Sequence, residues 1–179
     1  MSILDRLGLG RGSGGDERSA PGETATVRKI ATALKEMDPE QARYIAAFAY
    51  ILGRVANADR VVHHAETDVM CRLVREKGSL ARDQAALVVE MARQQGLLFG
   101  GSEDYLVTRE FREIATREQR VALLDCLLAV SAADRSISAL EGRVLMQISD
   151  ELKLDRKEYT AFRTAYRDYL SVLKKPEDS

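Results

Sequence analysis

Two short stretches of the chain place acidic residues at one spacing: ADRVVHHAE at Ala58–Glu66 and ADRSISALE at Ala133–Glu141. The offset is constant at 75 residues, since 134 − 59 and 141 − 66 agree. Carboxylates in such a pattern suit a hard divalent cation, which takes oxygen ligands. In the register of a calcium-binding EF-hand loop, Asp59 and Asp134 take the fifth position, Val62 and Ile137 the eighth, His63 and Ser138 the ninth, and Glu66 and Glu141 the twelfth. The front half of the loop departs from that pattern. Val55 and Val130 stand where the first carboxylate belongs, and Arg60 and Arg135 stand where the loop has glycine. An arginine there adds positive charge and is expected to resist the sharp turn, so tight calcium binding of the ordinary EF-hand kind is not expected.

The candidate ligands of a divalent metal are therefore Asp59, Glu66, Asp134 and Glu141, with His63 as a further candidate in the ninth slot. A second reading needs no ion. Each aspartate accepts from backbone amides of the connection, each Val or Ile plugs the core, and each glutamate lies in the first turn of the next helix, where the dipole favours it. Arg60 and Arg135 would then pair with neighbouring carboxylates.

The elements that must position these residues read as helical. Val27, Ile30, Ala31 and Leu34 recur at the spacing of one helix face, and Asp38-Pro39 supplies a cap and a first-turn proline for a helix to about Asn57. That helix carries Tyr44, Ile45, Phe48, Ile51, Leu52 and Val55. A helix with Val69, Met70, Leu73 and Val74 is expected to stop near Gly78 on a left-handed residue, and another to run from about Leu80 to Gln95. The glycine-rich link 96–102 reads as a loop. Further helices are expected over Tyr105–Ala115 and Arg117–Ala132. Ser138 with Glu141 and Asp155 with Glu158 read as capping boxes, the latter opening a last helix through Phe162, Tyr166 and Leu170. No segment alternates strictly, so no sheet is expected.

The expected fold is all-α: a compact bundle of seven to eight helices built from two duplicated helical units, over residues 23–175, behind a flexible tail, 1–22, rich in Gly and Ser. Net charge is −1 and sequence pI about 6.2, with Lys and Arg dispersed among the acids, which argues against a nucleic-acid partner. No apolar run is long enough for a transmembrane helix and no secretory signal opens the chain, so a cytoplasmic location is expected. Cys71 and Cys126 lie in apolar-periodic segments, outside any CxxC or Cys/His cluster, and read as reduced core residues. Catalytic motifs are missing: no Walker loop, GxSxG, HExxH or dinucleotide fingerprint occurs.

The two A-D-R-x-(V/I)-x-x-x-E segments, each behind an apolar helix, resemble the repeated A-D-G-x-I-x-x-x-E signature of the TerB-like family, which takes in tellurite-resistance TerB proteins and the amino-terminal domain of the co-chaperone DjlA. The likeness covers about Asp38 to Val172, and Leu106–Asp134 is its most specific stretch. It implies an all-helical, non-catalytic cytoplasmic domain associated with stress response, which binds metal or a partner through Asp59, Glu66, Asp134 and Glu141. The partner implied is an unidentified protein, including membrane-associated stress machinery. The His-Pro-Asp tripeptide of a J-domain is absent.

Overall fold

The computed structural model describes residues 25–58, 67–94, 104–133 and 135–170. Eight α-helices occupy them: α1 Ala25–Lys35, α2 Pro39–Ala56, α3 Thr67–Gly78, α4 Arg82–Arg93, α5 Asp104–Ile114, α6 Arg117–Ser131, α7 Ala139–Glu151 and α8 Arg156–Ala165. A single 3-10 turn, Arg167–Tyr169, follows. No strand forms among the described residues, and the fold is all-α as expected; one isolated parallel bridge joins Ile137 to Leu170. The tail 1–22, the link 96–102 and the end 171–175 lie outside the described residues.

Local chemistry explains the boundaries. The Asp38 carboxylate accepts from the amides of Glu40 at 2.9 Å and Gln41 at 3.3 Å, and Pro39 gives up an amide that would have had no partner in the first turn. On α6 the Thr116 hydroxyl accepts from Gln119 N while the Gln119 side chain accepts from Thr116 N. Asp155 and Glu158 cap α8, with Asp155 accepting from Lys157 N and Glu158 from Asp155 N.

The core is organised around α2. Every residue from Ile45 to Leu52 is buried, which is possible because α2 is covered by α1, α4, α5, α6 and α7 at once. Phe48 and Tyr44 pack on Phe111 of α5, with ring centroids 6.2 and 5.2 Å apart. Three of the helix pairs that touch in one half of the chain have a counterpart in the other half. Thus α2 with α4 answers to α6 with α8, α3 with α4 to α7 with α8, and α2 with α7 to α6 with α3. Such a pattern is what a duplicated unit folded about an approximate two-fold produces.

Two expectations are corrected. Gly78 is not the left-handed residue after α3: Ser79 is, with φ 57°. Gly78 is the last residue of the helix, and a Cβ there would come within 2.8 Å of Phe48 Cζ, so the glycine permits close packing of α3 on α2. The last helix also stops earlier than its apolar period suggests. It ends at Ala165, and the chain tightens through the 3-10 turn so that Tyr169 O accepts from Ile137 N at 2.6 Å. The backbone amide of Ile137, at the plug of the Asp…Glu connection, thereby gains a partner.

Candidate functional site

The second Asp…Glu connection is described except for Asp134. It leaves α6 with Ala133 N donating to Val130 O at 3.1 Å and Arg135 N to Ala132 O at 2.9 Å. Arg135 then takes φ 68°, the left-handed conformation that glycine would adopt without strain. Arginine thus makes the turn at this position, in a conformation that costs it more than glycine. Ile137 follows with 1% of its surface exposed, and Ser138 caps α7. The Glu141 carboxylate accepts from Ser138 N at 2.8 Å while the Ser138 hydroxyl accepts from Glu141 N at 3.1 Å. Glu141 is only 9% exposed, so this reciprocal pair is a largely desolvated, charge-assisted cap.

In the first copy, Val55 is buried and Asn57 caps α2, its side-chain amide donating to Gly53 O at 2.8 Å. Asp59, Arg60, His63 and Glu66 lie outside the described residues, as does Asp134. Of the five candidate ligands the structure therefore places Glu141 alone, and it sets that carboxylate on a backbone amide. Among the described residues no group of three or more His, Cys, Asp or Glu is arranged to hold a metal ion.

The motif reading passed over a polar cluster inside the bundle. Arg54, in the last turn of α2, is buried, and its Nη1 donates to Glu151 Oε2 at 2.8 Å and Thr108 Oγ1 at 2.6 Å. Its Nε lies 3.4 Å from Asp104 Oδ2, and Tyr50 OH donates to Asp104 Oδ1 at 2.8 Å. Gln147 Nε2 donates to Glu151 Oε1 at 2.8 Å, which satisfies the second oxygen of that carboxylate. The cluster joins α2, α5 and α7, with Arg54 balanced by two carboxylates. Its signal in the sequence was a lone arginine inside the apolar run Ile45–Val55.

The thiols and phenols favour the neutral form. Burial pushes the Cys126 thiol up to about 12, with Asp125 adding to the effect and Lys77 opposing it. Burial also raises Cys71, helped by Asp68 and Glu90. Tyr166 is raised by burial and then by Asp125, to which its hydroxyl donates at 3.0 Å. A thiol that stays protonated at neutral pH is a weak nucleophile. Both cysteines are free.

No helix among the described residues is long and apolar enough to cross a membrane. Neither the curated proteins nor the solved structures yield a match to this chain. The family described as "Tellurite resistance protein TerB" does, over residues 44–164, from the first core helix through α8. That span takes in both Asp…Glu connections and the helices on either side of each, and on that match the chain belongs to the TerB family.

Proposed function

We propose that this domain is a non-enzymatic interaction module of the cytoplasm, engaging a protein partner in a stress response of the tellurite-resistance kind. The observation that carries the reading is the division of labour on α7. Its inward residues are committed to the frame, Glu141 to the Ser138 amide and Leu145 and Ile148 to the core. Its outward residues Leu140 and Met146 are each 46% exposed, so one helix presents apolar side chains to solvent beside the repeated connection.

Site-specific photocrosslinking in the native host tests this reading. A photoreactive phenylalanine at Met146 is expected to give a discrete adduct with one protein, and the same probe at the exposed Ala86 of α4 is not. Absence of an adduct at Met146, or equal adducts at both positions, would contradict it.

One observation favours a second reading, binding of a divalent metal by Asp59, Glu66, Asp134 and Glu141 with His63. Arg135 holds φ 68° at the loop position that an EF-hand gives to glycine, so the back half of the loop has a suitable turn. Against it stands the commitment of Glu141 to a backbone amide. Calorimetric titration separates the two readings.

A further inference from the structure

The outer face of α7 is one wall of a groove whose opposite wall is α8 and whose end is the Ile137–Leu170 bridge. The groove encloses about 310 Å³ and is floored by Ile137, Gly142, Met146, Tyr159 and Leu170. It continues into a second space of about 200 Å³ that shares Met146, Tyr159 and Arg163 and reaches Arg156 and Asp150. Together they form one largely apolar groove between α7 and α8.

The rim of this channel is positive. Arg143, Arg156 and Arg163 are exposed and stand against the single carboxylate of Asp150. None of the three arginines enters an ion pair with a described residue, whereas Arg43, Arg54, Arg112 and Arg117 all do. The larger groove between α1 and α4 has the opposite sign, with Glu36, Asp83 and Glu90 against Lys29. Charge therefore distinguishes the two channels.

Gly142 adds an independent observation. It lies inside α7, where glycine is among the poorest helix formers, and a Cβ there would meet no atom within 4 Å. Unlike Gly78, it serves no close packing against the described residues. The space above it is the open floor of the groove, and Tyr159 OH donates to its carbonyl at 3.3 Å from the opposite wall.

We propose that the α7–α8 groove binds an acidic segment of a partner protein, with apolar side chains seated over Gly142 and carboxylates on Arg143 and Arg163. The claim rests on the interaction reading above and names the chemistry of the partner. Apolar anchors supply affinity in the channel, and the arginine rim selects acidic over basic segments and speeds encounter at low salt.

The test is selection of a phage-displayed random peptide library on the full chain, followed by fluorescence anisotropy with the enriched peptides. Enrichment of peptides combining Asp or Glu with Leu, Ile or Phe is expected. The Arg143→Glu/Arg163→Glu variant should bind them roughly tenfold more weakly or worse. Gly142→Leu should abolish binding with helical content kept, since a Cβ at this position meets no described atom within 4 Å and the added bulk competes with the peptide for the groove. Enriched peptides lacking an acidic bias, peptides bound equally by both variants, or no enrichment would each overturn the proposal. So would an Arg143- and Arg163-dependent dimer in light scattering, which would make the occupant a second copy. Binding to anionic lipid vesicles in place of peptides would overturn it in favour of a membrane. A crosslinked protein at Met146 alongside any of these failures would leave the interaction reading standing and remove this one alone.

Discussion

Arg135 shows how much a single side chain can tolerate when its surroundings fix the backbone. A non-glycine residue at φ 68° costs about 1 kcal/mol relative to glycine, and glycine recovers part of that while adding freedom to the unfolded chain. Arg135→Gly is therefore expected to stabilise the protein by roughly 0.5–1 kcal/mol in chemical denaturation. Arg54 is the opposite case, a charge that its site requires. With Glu151 buried against it at 2.8 Å, Arg54→Met should cost about 3–5 kcal/mol, because an unpaired carboxylate is left inside. The double variant Arg54→Met/Glu151→Leu should recover most of that loss. A double variant as unstable as Arg54→Met alone would show that the cluster's other contacts, to Thr108 and Asp104, matter more than the pair.

At the scale of elements, the second Asp…Glu connection acts first as a helix start. Ser138 and Glu141 satisfy each other's amides at the head of α7, so Ser138→Ala should cost about 1 kcal/mol in thermal or denaturant unfolding. This cap was legible in the sequence because serine and glutamate three apart before an apolar period have few other readings. So were α2 and α6, whose apolar periods are long and whose caps, Asp38-Pro39 and Thr116, are distinctive. The end of α8 was not legible. Tyr166 and Leu170 continue the helical period, but they pack where the backbone has already turned to meet Ile137, a contact 33 residues away in the chain (170 − 137) that no local pattern encodes. Gly78 misled for a similar reason: glycine signals either a left-handed stop or a close approach, and only the position of Phe48 decides between them. The Arg54 cluster was visible only as an anomaly. An arginine in an apolar run demands partners, but Glu151 lies 97 residues later, and sequence gives no means of choosing it.

For the molecule as a whole, the buried Cys126 thiol links stability to pH. The unfolded chain releases this proton near 9.0, whereas the folded protein holds it to about 12. Below the lower value both states are protonated and stability is unaffected; above it, only the unfolded chain ionises, so stability falls as pH rises through the interval. The slope from this group approaches about 1.4 kcal/mol per pH unit, and Cys126→Ala should reduce it when unfolding is followed from pH 8 to 10.5, values chosen to bracket the onset. The duplicated architecture makes a broader claim. Two helical units pack around α2 and α6, Glu141 of the second connection is held in the frame by the Ser138 amide, and the outer face of α7 is the surface proposed above for a partner. The most direct test is calorimetric titration of the metal-free chain with calcium, zinc and manganese, beside the Asp59→Asn/Glu66→Gln/Asp134→Asn/Glu141→Gln variant. No saturable binding at or below roughly 10⁻⁵ M is expected for any of the three ions, the range in which sensor-type carboxylate sites operate. Micromolar binding by the natural chain, lost in a variant that retains its helical content, would contradict this expectation and make the repeated carboxylates a metal site.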